Sequence, residues 1–571
     1  MKLKTLALLA GVMLASFSVN AVTRVGLLEQ DADIILNISS ISKIGEALKK
    51  TSFGNLWNDP EFKKAIGEYD LGKTIKEGML SNMSEEESHL YLEEIKMLKG
   101  NIAFSIQTAD KDFSLAAALS EKDFKLSLDM DRRLTELDSE NKMTIHMERY
   151  QGTPIYTHIY ENNESANSWQ AYIDNTMLMS SSEDWVKKSI AAIKKSPVTE
   201  DKNGTPSAYL DVNMKSMIDS MIKSYEENMA SMQSAGVAAP QFSPDKIVDA
   251  IGFADLNKIT ISVKFYDDRI VTDSTTAIKK PLKGILAVSD LSPSSLDLQL
   301  PYAPKSIISY GVSRLNLMAL WRNIPQIISQ ATPEEAAAIF NSQLSGLSAM
   351  LGADPGRDLF ANLDTQIASI LVNSSPEPEG MYFIRIKNEA ALQSSLQKMF
   401  DENGMLRMIL GENFKLESFR DADIYEFTSD STNKTYAITA ESGYLAIGSG
   451  KIVRRYLRAV DSGNPDNCAF YKSRLFADLR KNTPSKACSY SAMDTGKYVK
   501  VFLSMIVDNP ALKSEIANNT GNDNNPFPNF DINKLPSAEY MSKFFGSSFQ
   551  YTVPTASGIK SHSTIYFGKN K

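Results

Sequence analysis

Among the residues of this 571-residue chain that could do chemistry, His146 and His158 have the most site-like spacing. They flank a turn-forming stretch, Gln151 to Pro154. A hairpin centred on Gly152 would set the two imidazoles opposite each other, sharing a face with Glu148 and Tyr156, while Ile145, Met147, Ile155 and Ile159 face the core. Cross-strand neighbours lie about 5 Å apart, a span that suits two ligands of one metal ion. The same alternation describes an ordinary solvated strand face. No metal or cofactor is assigned on it.

A second constellation is basic. Lys187 and Lys188 sit on a helix whose other face is Val186, Ile190 and Ile193; Arg454 and Arg455 sit on one whose other face is Val453, Leu457 and Val460. These four cations are the candidate ligand-binding residues, for an acidic glycan or a phosphate. The alternative is a plain solvated face, with lysine stems covering apolar surface. A third feature is a methionine stripe at helical spacing: Met214, Met217, Met221, Met229 and Met232. Thioethers suit a lipid or peptide groove, but core packing is the expectation here. It is also the expectation for Tyr498, Val501, Phe502 and Met505. Ser220 and Lys223 make a Ser-x-x-Lys of the kind chance supplies within a helix. No HExxH, zinc-type Cys/His spacing, GxSxG elbow, P-loop or dinucleotide fingerprint occurs.

The elements that carry these residues recur. LAIGSGKIVRRYL from Leu445 aligns without gaps on LMSSSEDWVKKSI from Leu178, placing Val453 on Val186 and Arg454-Arg455 on Lys187-Lys188. Ile424-Tyr425 match Ile155-Tyr156, and Ile367-Ala368 match Ile102-Ala103. SIISYGVSRLNLM from Ser306 resembles ADIILNISSISKI from Ala32. The order is kept throughout, which predicts an internal duplication. The histidines do not recur: Lys415 and Phe427 stand at their places. Each copy reads as α+β, a mainly antiparallel sheet packed with amphipathic helices. Ser84-x-x-Glu87 is a capping box opening a helix that buries Leu92, Ile95 and Leu98; Thr332-Pro333-Glu334-Glu335 opens its counterpart. Polar loops are expected at Gln233 to Asp245 and Asn518 to Pro536.

The strand, Gly443 to Gly450 and the dibasic helix, with Leu300-Pro-x-Ala303 and the pairs Leu56-Trp57 and Leu320-Trp321, resemble a repeated signature of exported bacterial proteins of unknown function with a duplicated α+β domain. The resemblance implies an exported α+β architecture and carries no catalytic residues. The first copy departs from it at Ser181, Ser182 and Glu183.

The opening residues read as a secretory leader: Lys2 and Lys4, an apolar run from Leu6 to Ala15, and Val19-Asn20-Ala21 before a cut after Ala21. A periplasmic or extracellular, soluble protein is expected, with no transmembrane span. Loss of the two lysines takes the formal net charge from −8 to −10, which argues against nucleic acid as a partner. The length exceeds what one core organises. The expected division is a leader at 1–21, one domain at 22–288, a linker at 289–304 and a second domain at 305–571. In an oxidising compartment Cys468 and Cys488 read as a disulfide. It would close a loop of about 21 residues, worth about 3 kcal/mol in the chain-entropy picture. The favoured function is a non-enzymatic binding or structural protein, its partner an envelope component, a glycan or an apolar ligand. The alternatives are a hydrolase with dispersed carboxylates in an interdomain cleft and a carrier of lipid or another apolar ligand.

Overall fold

Short runs of β-branched and aromatic residues, closed by tight turns, build twenty strands in the described part of the chain. The computed structural model describes residues 24–29, 32–66, 84–108, 112–137, 143–161, 167–196, 198, 205–234, 243–292, 296, 299–374, 377–401, 405–429, 434–507, 514 and 531–568. The expected leader at 1–21 and most of the two polar loops lie outside the described residues.

The first half runs β1 (Ile34–Ile38), α1 (Ile41–Lys50), α2 (Glu85–Met97), β2 (Ile102–Gln107), β3 (Asp112–Ala118), α3 (Glu121–Leu137), β4 (Met143–Tyr150), β5 (Thr153–Tyr160), β6 (Ser168–Ile173), β7 (Thr176–Ser180), α4 (Glu183–Lys195), β8 (Ser207–Asn213), α5 (Met214–Ser234), β9 (Leu256–Phe265) and β10 (Arg269–Ile278), with shorter helices between. The second runs β11 (Ile307–Arg314), α6 (Leu317–Ala331), α7 (Glu334–Leu351), β12 (Leu363–Val372), β13 (Glu379–Ile386), β14 (Phe414–Phe419), β15 (Ala422–Ser429), β16 (Lys434–Glu441), β17 (Tyr444–Gly448), α8 (Gly450–Ser462), β18 (Ser489–Asp494), α9 (Thr495–Val507), β19 (Phe545–Thr555) and β20 (Gly558–Phe567). The class is α+β, and the pairing is antiparallel.

Pairing follows one scheme in both halves. β1 lies between β2 and β8, β2 continues to β3, and β3 pairs with β7; β4 to β7 form a meander, and β8 leads to β9 and β10. β11 likewise lies between β12 and β18, with β13 on β17, β14 to β17 as the meander, and β18 leading to β19 and β20. The meanders turn on two left-handed residues at equivalent points, Gln151-Gly152 and Asp174-Asn175 in one, Arg420-Asp421 and Ser442-Gly443 in the other. Such turns match the twist of the strands they join. The gapless alignment holds for α4 and α8 but slips by one residue in the strand before them. By pairing, Leu178 opposes Ala116 and Ala446 opposes Phe383, so Ala446 rather than Leu445 stands where Leu178 does.

The chain divides into two compact units: Met1–Ser220, Lys258–Thr275 and Pro510–Pro536 form one, and Met221–Asn257, Thr276–Asn509 and Ser537–Lys571 the other. Within the first, Ile35, Ala103, Ala116, Ile155 and Leu178 pack against Trp185, Val186 and Ile190 of α4. The opposite face, with Ile102, Phe104 and Leu115, packs against Ile44, Phe124 and Leu128. Within the second, Tyr310, Ala368, Phe383 and Ile424 lie against Val453, Tyr456 and Leu457 of α8. On its other face Ile384, Tyr425 and Leu445 meet Leu392, Leu396 and Phe400. Within the expected linker, Leu296, Leu300, Tyr302 and Ala303 are buried in the second core. The capping box at Ser84 and Glu87 forms as expected. Its helix buries Leu90 and Tyr91, with Leu98 just beyond, whereas Leu92 and Ile95 stay half-exposed.

Ile190 is fully buried and Lys188 is on the solvent side of the same helix. Ile190→Ala should therefore cost about 2–5 kcal/mol, while Lys188→Ala stays within about 0.5 kcal/mol; denaturant titration reads both.

Candidate functional site

The dibasic helices begin alike. Ser182 accepts a hydrogen bond from the Trp185 amide and Ser449 one from the Ile452 amide, fixing the first turn of α4 and α8. Burial of Val186 and Ile190, or Val453 and Leu457, then sends the first cation of each pair toward the outer hairpin of the meander. Lys187 reaches Glu148 at 3.3 Å and also pairs with Glu183. Arg454 donates from Nη2 to Glu417 Oε2 at 2.6 Å and from Nη1 to Glu426 Oε1 at 2.8 Å. Two further bonds, from Nε to Glu417 and from Nη2 to Glu426, complete two forks. Glu148 opposes Ile155, and Glu417 opposes Ile424, so the clamping carboxylates hold equivalent positions.

The second carboxylate comes from different places. In α4 it is Glu183, the first helical residue. At that position α8 has Gly450, where a Cβ would fall 1.6 Å from Glu426 Oε1. Glycine thus clears the space that Glu426 uses to reach Arg454. The remaining cations are also matched. Lys188 pairs with Asp184 on the surface. Arg455 meets Glu379 at 3.3 Å and donates to Ser374 Oγ at 3.0 Å. The expected ligand-binding residues Lys187, Lys188, Arg454 and Arg455 are all engaged with carboxylates of their own chain. The Arg454 guanidinium holds the Glu417 carboxyl down at about 2, and the two glutamates in turn raise Arg454.

The histidine pair does not form. The turn occupies only Gln151 and Gly152, so His146 opposes Thr157 and His158 opposes Ile145. A one-residue change of register reverses every side chain, and the two imidazoles point to opposite faces. His146 is exposed. His158 is fully buried, 3.7 Å from Asp131 of α3, with Ser168 Oγ 3.5 Å from its Nδ1. Ser, His and Asp in line are the residue types of nucleophilic catalysis. Here all three are buried, and they tie α3 to β5 and β6. Among the described residues no group of three or more His, Cys, Asp or Glu could hold a metal ion.

The cysteines are free thiols, and the expected disulfide is not seen. Cys468 Sγ turns to the Pro301 carbonyl and Cys488 Sγ to that of Thr552, each at 3.5 Å. Burial pushes both thiols up. Of the Ser-x-x-Lys pair, Lys223 is exposed on α5.

The methionine stripe and its counterpart are not core. No described residue of α5 is buried, and Met221 is 64% exposed. α6 buries nothing and α7 only Ala337, although α7 has no charged side chain after Glu335. Ile339 of α7 is 61% exposed, and Met408 and Ile409 are exposed on the adjoining short helix Met405–Leu410. Periodicity marks these helices as amphipathic, but it does not say whether their apolar arcs are covered. Among the described residues no helix is long and apolar enough to cross a membrane.

The sequence profile described as "Protein of unknown function (DUF3352)" matches residues 91–405. No curated protein matches. Solved structures with similarity include crystal forms I, IV and III of TP0453, at 7%, 9% and 8% identity and TM-scores of 0.23, 0.23 and 0.22. They cover 46%, 45% and 46% of this chain and 82%, 81% and 81% of their own.

Glu417 titrates from about 2 in the folded chain against an ordinary 4.5. Its contribution is complete above that ordinary value and is lost as pH falls toward about 2. Acid unfolding of Arg454→Gln should lack this part of the loss, in urea midpoints compared across that range. Thiol titration of the unreduced, unfolded protein should count two thiols, with Cys488 reacting only after unfolding; a count of zero would show the pair joined.

Proposed function

Matched over more than half its length, this chain belongs to the DUF3352 family of proteins of unknown function, and on that premise we propose that it is an exported, non-catalytic binding protein whose ligand is apolar or amphiphilic. The observation that carries the reading is the helical layer of the second half. α6 and α7 are rich in Leu, Ile and Met, yet only Ala337 is fully buried; their other large apolar side chains are half-buried, and Ile339 is 61% exposed. Apolar surface left in water forfeits part of the main driving force of folding, about 25 cal/mol per Å². A surface of this kind suits an interaction.

The leader-like opening supports export with cleavage after Ala21. The common pairing scheme and the equivalent clamps support descent of both halves from one duplicated unit, with domains near 22–288 and 305–571. A glycan or phosphate at the dibasic helices loses support, because each cation already faces a carboxylate. The hydrolase reading loses support on the same residues: Glu379, Glu417 and Glu426, which the fold gathers, are held by arginines.

Native mass spectrometry of protein isolated without detergent tests the reading. The expected spectrum shows a chain starting at Val22 with lipid-sized non-covalent adducts; bare protein from lipid-replete cells would overturn the apolar-ligand assignment.

A further inference from the structure

Among the described residues β4 pairs with β5 alone and β14 with β15 alone. Each leaves a row of backbone N–H and C=O groups along an open edge. On β4 the phase of that row is set by its turn. Gln151 and Gly152 are left-handed and lie between the opposed residues Tyr150 and Thr153. The pair flanking such a turn exchanges hydrogen bonds, and along an antiparallel ladder bonded and non-bonded pairs alternate. Thr144, His146, Glu148 and Tyr150 therefore bond to β5, and the backbone groups of Ile145, Met147 and Arg149 face outward.

A second copy turned about a two-fold axis can extend this edge only with outward-facing residues opposite one another. Centring the contact on His146 sets that residue against its own mate, and centring it on Glu148 opposes two carboxylates, which is unfavourable. Centring it on Met147 sets His146 opposite Glu148 of the second copy, twice, with Met147 opposite Met147. The side chains are free to do this. Met147 is 55% exposed, and His146 is exposed and has no partner among the described residues. Glu148 is exposed too, with Lys187 at 3.3 Å on one side of its carboxylate. An imidazole, neutral or protonated, has an N–H to give that carboxylate. β14 carries the matching triplet Lys415, Leu416 and Glu417, but its charges are already joined. Lys415 pairs with Glu417 at 2.9 Å, and Arg454 holds the same carboxylate. Charge on an edge strand ordinarily keeps copies apart. On β4 the order donor, apolar residue, carboxylate is self-complementary when the strand is reversed, and reversal is what a two-fold axis does.

We propose that β4 is the contact of a symmetric dimer, in which the β4 strands of two copies of this chain join antiparallel about Met147. A pair of eight-residue strands buries little beside the roughly 1,200 Å² of a stable complex, so the dimer is weak and depends on concentration. Analytical ultracentrifugation of the purified chain at up to about 0.1 mM tests it. The parent should show a monomer–dimer equilibrium. His146→Glu opposes two carboxylates at both ends of the contact and should weaken dimerisation about tenfold, whereas His146→Lys should dimerise at least as well as the parent. Thermal unfolding should be unchanged in both, because His146 is exposed. Crosslinking reads the register. Met147→Cys should give a disulfide-linked dimer on mild oxidation, above the parent's background, because the Cα atoms of a bonded pair lie about 5.5 Å apart. Arg149→Cys, about 14 Å from its mate along the strand, should not. A parent that stays monomeric overturns the proposal, as does a dimer that His146→Glu leaves intact or that crosslinks equally at both positions. A dimer abolished by Leu416→Glu instead would place the contact at β14 and overturn it as well.

Discussion

Burial of the sheet on both faces is the constraint from which the rest follows. A strand covered on one side can alternate apolar and polar residues; one covered on both cannot. β2 accordingly offers Ile102 and Phe104 to one core and Ala103 to the other. Helices must then lie on each face, and their connections must cross from one side to the other. α4 and α8 close one face of each meander, and their short apolar stripes leave the flanking cations at its outer hairpin. The carboxylates of that hairpin meet them there. The clamp is thus a consequence of two-sided burial, and two of the four cations that looked like a ligand site, Lys187 and Arg454, are its fittings.

Much of this was legible in the sequence. Ser84 with Glu87 marks a helix start because both ends of the capping interaction lie within four residues. Ser182 and Ser449 could be matched for the same reason: local hydrogen bonds leave local signatures. The order of elements also survived, since apolar positions such as Ile155 and Ile424 are fixed by the core they share. Register was harder. Whether a hairpin turns on two residues or three changes nothing in its composition, yet it decides that His146 and His158 face apart. The same single-residue ambiguity lies behind the slip between Leu178 and Leu445.

Exposure was the least legible property. Met217, Met221 and Tyr225 have the periodicity of a core stripe, and so do Tyr498, Phe502 and Ile506. A moment along one helix states that an apolar arc exists; whether anything covers it depends on elements distant in sequence. The cysteines posed a similar problem. Compartment and count favoured a disulfide, but the direction of each Sγ is set by its surroundings, Pro301 for one and Thr552 for the other.

The contrast between Glu183 and Gly450 across the two clamps ties the helix start to the strand that faces it. Thr157 stands in the first half where Glu426 stands in the second. A glutamate on that strand, facing a helix start that carries a side chain, would have to turn its carboxylate away from the place Glu426 takes. The residue at the helix start and the residue on the facing strand are therefore coupled: the double fork on Arg454 forms where the first is glycine and the second is glutamate.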